Sequence, residues 1–368
     1  MFYLRLISFL FLCTCFFSLS AQVPTDVPLE LRAQFNGQYD YKIIGNTLTV
    51  DDNIATTSAN CGFLPQSSAN LVIDNSQSIV AAYLYWHGIG DGSFDTDIQF
   101  NGDVLLADEI NVVDPFQSNF SFFFGSFKEV TSLVQQQGTG IYTFSGLDLN
   151  PIITSYCSNS IENSGWALLV VYQDINLPMQ QVNVYDGLTS VLGFEDNAST
   201  TIDIESLNII DTQDARLGYL AWNGSTTQVF NESVSFNGNL LSDPPLNPID
   251  NPFNGTNSYT GATDLWNMDL DVFDISNYIQ IGDTQASLTF TSAPRRFIQN
   301  IVTVTRSELP DATVVLNEVS NIDACDDRDI TLEVSINNLD SSKELPANTP
   351  VSVYVLDQND DEVLLNTF

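Results

Sequence analysis

The chain repeats itself over most of its length. Residues 79–105 lie over 215–241 at a constant offset without a gap: Tyr83, Leu84, Trp86, Gly88, Phe94, Phe100, Asn101, Gly102 and Leu105 meet Tyr219, Leu220, Trp222, Gly224, Phe230, Phe236, Asn237, Gly238 and Leu241. Upstream, Leu71, Ile73 and Gln77 meet Leu207, Ile209 and Gln213. Farther on, Glu129-Val-Thr-Ser-Leu-Val134 meets Asp274-Ile-Ser-Asn-Tyr-Ile279, and after one residue of slip Tyr142-Thr-Phe144 meets Leu288-Thr-Phe290. Each copy closes on an apolar strand and a Leu-Pro, at Pro178 and Pro310. The unit is far longer than the roughly 20–50 residues of a solenoid repeat, so it predicts two homologous domains in tandem.

Both copies keep an Asn-Gly between alternating strands, at Asn101-Gly102 and Asn237-Gly238. That pair supplies the positive φ of a tight type I′ hairpin and predicts an antiparallel sheet. Leu84 and Trp86 are two apart on one strand, so they share a face, which is expected to be the core. Tyr85 and His87 then point the other way, toward solvent on this reading. Elsewhere, short runs rich in Val, Ile, Thr, Phe and Tyr are broken every ten or so residues by Asn, Asp, Gly or Pro, the habit of sandwiches and barrels. Examples are residues 41–50, 166–172 and 286–290. Helical periodicity is confined to 127–137 and 272–279, each expected to make a short amphipathic turn. The predicted fold is all-β: tandem antiparallel, jelly-roll-like β-sandwiches spanning 22–195 and 196–309. A partial immunoglobulin-like sandwich at 310–368 follows, where about a hundred residues would be needed for a whole one.

The N-terminus predicts export. Arg5, an apolar run from Leu6 to Phe17, and small residues at Ser18, Ser20 and Ala21 follow the order of a secretory signal peptide, expected to occupy 1–21. The run is shorter than the ~20 residues of a membrane span. In an oxidising compartment Cys61 and Cys157 are a candidate disulfide within the first module, leaving Cys325 over. An unpaired Cys325 and a C-terminal strand pattern up to Phe368 lead us to expect further C-terminal domains of a longer chain. There are 46 acidic against 10 basic residues, a net charge of -36, which argues against nucleic acid and anionic lipid as partners. With 43% hydrophobic residues and 24 Phe, the chain has ample material for packed cores and is not a disordered acidic polymer.

Several stretches together resemble the large surface proteins of Bacteroidetes, above all flavobacteria. They are Ala-Tyr-Leu-Tyr-Trp-x-Gly at 82–88, Phe-Asn-Gly at 100–102, Glu-Val-Thr-Ser-Leu-Val at 129–134, Trp-Ala-Leu-Leu-Val-Val-Tyr at 166–172 and Asn-Val-Tyr-Asp-Gly at 183–187. In that family such modules precede adhesion-type immunoglobulin-like repeats and a C-terminal sorting domain tied to gliding motility and type IX secretion. Residues 311–356 are similar to those repeats. The resemblance implies secretion to the outer-membrane exterior and no particular ligand.

Catalytic signals are sparse. The single histidine, His87, is replaced by Asn223 in the second copy, so a triad or a His-rich zinc site has little to build on. Hard cations favour carboxylate-bearing loops, and two are dense enough for calcium: Asp91, Asp95 and Asp97, and, preferred, Asp323, Asp326, Asp327 and Asp329. Asp357, Asp360, Asp361 and Glu362 form a further acidic run. The first cluster aligns with Thr227, Asn231 and Ser233, which counts against a metal needed by the shared fold. Tyr85, replaced by Ala221, is the candidate ligand-stacking aromatic. These observations predict a non-enzymatic surface adhesion or interaction protein with a polymer, glycan or protein ligand. The alternatives are a carbohydrate-binding accessory module of a polysaccharide-processing system and a glycoside hydrolase working through two carboxylates.

Overall fold

A computed structural model describes residues 24–52, 62–95, 97–116, 122–157, 163–192, 198–226, 232–293, 295–307, 312–320, 331–338, 345, 347–358 and 361–368. The described chain opens with β1 (Val27–Gly37). A first set of elements follows: β2 (Tyr39–Thr47), β3 (Gln66–Leu71), β4 (Gln77–Gly90), β5 (Asp97–Phe100), β6 (Asp103–Leu106), β7 (Glu109–Val113), β8 (Phe122–Glu129), α1 (Thr131–Gln137), β9 (Gly140–Ser145), α2 (Thr154–Cys157) and β10 (Gly165–Asp174). The second set comprises β11 (Gln180–Val191), β12 (Ala198–Ile204), β13 (Asp211–Trp222), β14 (Ser233–Phe236), β15 (Asn239–Leu240), β16 (Met268–Asp274), β17 (Ala286–Ser292) and β18 (Arg296–Arg306).

The sheet order turns the sequence repeat into a topological one. The first set forms the sheets β2-β10-β4-β8-β7 and β3-β9-β5-β6; the second forms β11-β18-β13-β16, with β1 added outside β11, and β12-β17-β14-β15. Setting aside β1 and β7, both sets share one order. The first strand lies beside the eighth, third and sixth, and the second beside the seventh, fourth and fifth. That is the eight-stranded, two-Greek-key jelly roll. The retained Asn-Gly pairs make the β5–β6 and β14–β15 hairpins, with φ of 53° and 89° at Asn101 and Gly102 and 49° and 78° at Asn237 and Gly238.

The boundary between the rolls differs from expectation. β11 pairs with β18 along its length, and β1 pairs with β11, so the second roll's sheet begins after Pro178 rather than near residue 196. The Leu177-Pro178 that closes the first copy marks the true junction. The helical expectation was half met. Residues 131–137 form α1, but Phe127 belongs to β8, and Val272 to Asp274 end β16 as strand.

Each roll is packed by aromatics from facing sheets. In the first, Trp86 and Trp166 meet Phe100 and Phe144, with Phe144 and Trp166 stacked at 5.9 Å and 8°. In the second, Tyr219, Phe253 and Phe290 form the corresponding cluster. A fully buried large apolar side chain contributes about 1.5–3 kcal/mol. The two rolls then stack. The core around Trp86 continues through the β2 sheet to Val184, Leu220, Trp222 and Phe297 of the β11 sheet, giving four layers in the order of the β3, β2, β11 and β12 sheets. This explains β10, whose residues 165–172 are all buried. A strand covered on both faces reads as a continuous apolar run.

Beyond the rolls lie two separate hairpins, β19 (Ala312–Ser320) with β20 (Thr331–Asn338), and β21 (Ser352–Leu356) with β22 (Glu362–Thr367). Among the described residues they do not join into one sheet, and the expected immunoglobulin-like sandwich is present only as these two pairs. Apolar side chains such as Leu316, Ile336, Leu356 and Leu365 stand exposed on them.

Candidate functional site

The predicted site residues are scattered rather than gathered. Tyr85, expected on the surface, is fully buried, and its hydroxyl donates to Asp186 Oδ2 at 3.0 Å. Alternation placed it correctly on the face opposite Trp86, but that face is covered by the second roll. Arg32 of β1 joins the same junction. Its Nε donates to Asp186, its Nη2 reaches Glu109 Oε2 at 2.7 Å, and its guanidinium lies 3.8 Å from the Phe127 ring centroid. Burial dominates at Asp186 and pushes its carboxyl up despite Arg32, and it likewise raises Tyr85. His87, expected to be solvated, is buried in the same interface. Its ring stacks on Trp222 at 5.2 Å and 14° and lies 5.2 Å from Phe297. Loss of water around the imidazolium pushes its pKa down to about 3. Neither residue is accessible to a ligand.

Among the acidic candidates, Asp91 closes a turn by accepting from Ser93 Oγ at 2.7 Å, and Asp95 accepts the Asp148 N–H at 2.8 Å. Among the described residues, no group of three or more His, Cys, Asp or Glu is arranged to hold a metal ion. Asp323, Asp326, Asp327 and Asp329 lie outside the described residues, as does Cys61; Cys157 is disulfide-bonded.

Sequence patterning gave no hint of a carboxylate pair inside the second roll. Asp269 and Asp271 alternate inward on β16 and are fully buried. Asp269 Oδ1 accepts the N–H groups of Asn254, Gly255 and Thr256 at 2.8, 2.7 and 3.3 Å. Asp271 accepts from Asn247, Ser258 and Thr256 on Oδ1 and from Tyr219 on Oδ2. Burial first, and for Asp269 the neighbouring Asp271 charge as well, pushes both carboxyls up. Apart from Tyr219 of β13, their partners come from the connection between β15 and β16, so the pair pins that long segment onto the roll. It is enclosed and faces no opening.

The open site lies at the rim of the first roll. A groove of about 650 Å³ runs between the edge strands β2 and β3, and residues 257–265 of the second roll form its third wall. Two side chains tie the edges together: Lys42 Nζ donates to Val72 O at 2.6 Å, and Asn46 Nδ2 to Ser68 O at 2.9 Å. Tyr259 leans on β2 through a 2.6 Å hydroxyl contact with Tyr41. The Leu48 N–H donates to Ser164 O, so even-numbered β2 residues bond toward β10, and the N–H and C=O of odd-numbered ones face the rim. The Tyr41 and Thr47 N–H groups are taken by the Asp40 and Asn46 side chains at 2.8 and 2.9 Å. Ile43 and Gly45, between them, present backbone donors and acceptors to the groove and have no partner strand among the described residues. The matching rim of the second roll carries a groove of about 640 Å³ between β1 and β12, lined by Asp26, Glu30, Asp203 and Glu205.

No family model matches the chain, and no curated protein matches it. Among solved structures, two of BuGH86 in complex with neoagarooctaose are similar, one wild-type and one a Glu-to-Gln variant. Each shows 11% identity and a TM-score of 0.21 and covers 76% of this chain. The chain spans about a third of those structures (34% and 33%), and a likeness at that score carries no argument about what the chain does.

Proposed function

We propose that the protein is a secreted cell-surface interaction protein without catalytic activity, and that it holds its ligand in the β2–β3 groove. The supporting observation is the open strand edge itself: Ile43 and Gly45 offer backbone hydrogen-bonding groups to a walled groove of about 650 Å³. A row of unpaired backbone groups is a template for recognition unless it is covered. His87, Asp269 and Asp271, whose proton affinities are displaced by burial, are sealed in the core and serve the fold. The carbohydrate-binding alternative called for exposed aromatics on one sheet face or in a groove between the domains, and Tyr85, its named candidate, is buried.

Binding of the full chain to a glycan array and to a phage-displayed peptide library, each compared with Asn70→Trp, tests this reading. Asn70 is exposed on β3 and lines the groove, so the indole fills the site without entering the core. The expected result is saturable binding in one format, weakened by Asn70→Trp about tenfold or more, ~1.4 kcal/mol, with little change in melting temperature. Binding indifferent to Asn70→Trp places the ligand elsewhere, and no binding in either format overturns the reading.

A further inference from the structure

We propose that the β2 edge takes an extended segment of a partner protein as an added antiparallel strand, in the position that β1 fills in the second roll. This deepens the groove reading by naming the class of ligand, and it rests on that reading.

In the first roll a row across the sheet reads Ile43, Leu169, Tyr83. In the second a row reads Tyr185, Ile301, Tyr219. β2 and β11 are each the first strand of their roll and lie beside the eighth, so the two rows end on the same sheet edge. The second row has a further member, Leu31 of β1, opposite Tyr185. The first row stops at Ile43, and the groove begins there. The same sheet edge thus exists twice in one chain, once with a strand seated on it and once open.

The open copy is built to receive one. Its outward N–H and C=O groups at Ile43 and Gly45 are spaced two residues apart, the repeat on which an antiparallel partner docks. The Asp40 and Asn46 side chains close the edge on either side. That limits the guest to a short strand of roughly five residues. The walls lie on both faces of the seat, Ala69 and Leu71 of β3 on one and Tyr259 and Leu265 on the other. Alternate guest side chains therefore have separate surfaces to meet, the division of labour of strand addition: backbone bonds for affinity and alternating pockets for specificity.

Charge narrows the guest. The groove carries one group of each sign, Lys42 and Asp264, whereas the whole chain has a net charge of -36. An acidic strand is repelled by that field and a neutral or basic one is drawn in. The segment that fits is a β-forming, non-acidic stretch of a second protein.

Peptides selected from a random phage-displayed library on the full chain provide the probes. Each is resynthesised with N-methyl groups on alternate residues, in both phases. Strand addition predicts that methylation in one phase weakens binding about tenfold or more while the other phase is tolerated, since only one edge of the guest bonds to β2. It also predicts that bound peptide slows hydrogen exchange at the Ile43 and Gly45 amides and that Asn70→Trp prevents binding. Equal tolerance of both phases, or unchanged exchange at Ile43 and Gly45, overturns the proposal. If instead only a glycan binds and Asn70→Trp abolishes that binding, the groove reading survives and strand addition falls. Concentration-dependent self-association abolished by Asn70→Trp makes the occupant a second copy of this chain and overturns the partner assignment.

Discussion

His87 shows how a side chain can be read correctly for direction and wrongly for environment. Alternation along β4 sets it opposite Trp86, and the structure agrees, but the opposite face is the Trp222 and Phe297 surface of the other roll. A free imidazole titrates near 6.5, and burial takes His87 to about 3. Between those values the unfolded chain binds a proton that the folded chain refuses. The His87 contribution is therefore complete above about pH 6.5 and is lost as pH falls toward 3, by roughly 1.4 kcal/mol per unit. The raised carboxyls of Asp186, Asp269 and Asp271 work in the other sense and cancel when a variant is compared with wild type at each pH. His87→Asn, which installs the residue of the second copy, is expected to lose stability at about pH 7, where the ring stack is missing. By about pH 5 the gap to wild type should narrow by ~2 kcal/mol. Urea unfolding of both proteins at the two pH values measures this, and a gap independent of pH means that the ring takes up its proton in the fold as readily as in the unfolded chain. Tyr85 was legible to the same extent: its orientation and its absence from the second copy were plain, its partner Asp186 more than a hundred residues on was not.

Turns were the most legible elements, because their chemistry is local. Asn101-Gly102 and Asn237-Gly238 take the positive φ values that the dipeptide anticipates. A Cβ added at Gly102 or Gly238 meets nothing within 4 Å, so alanine there costs only backbone strain, about 1 kcal/mol. Gly45 is a glycine for a different reason. A Cβ there stands 2.4 Å from Trp166 O and 3.0 Å from Met268 Cε, so β10 and the second roll both press on β2 at that point. Gly45→Ala is expected to cost well over ~2 kcal/mol, the range of overpacked cores. Urea midpoints of the three alanine variants test the ranking, and a cost at Gly45 equal to that at Gly238 contradicts the close packing of the sheets. The connection between β15 and β16 was illegible by contrast. It has little periodicity, and what holds it is Asp269 and Asp271, whose inward turn shows only once Tyr219 and Phe253 are seen around them.

At the scale of the whole molecule, the repeat announced two domains, and the fold joins them more closely than tandem domains need be. The β2 sheet meets its own roll's β3 sheet on one face and the second roll on the other, and its apolar content was visible in the unbroken run of residues 166–172, although such a run alone does not say what covers it. Trp222 shows the consequence. Its indole stacks on His87 of the first roll, and its Nε1 donates to Gln299 at 2.8 Å. Gln299 in turn donates to Ser126 O of β8 at 3.0 Å. The second roll therefore cannot open without exposing the outer face of the first. Calorimetry is expected to show the two rolls melting in one transition, with calorimetric and van't Hoff enthalpies in agreement for that transition. Trp222→Ala leaves a cavity in the shared layer, costs about 3–5 kcal/mol, and should move the whole transition rather than split it. Two resolved transitions for the rolls in the wild type, or a Trp222→Ala shift confined to one of two, would mean that each roll is stable through its own aromatic cluster and that the stacked face adds contact without cooperativity. The first roll would then present its β2 edge on a body free to move against residues 257–265, and the groove would have two walls where the stacked arrangement gives it three.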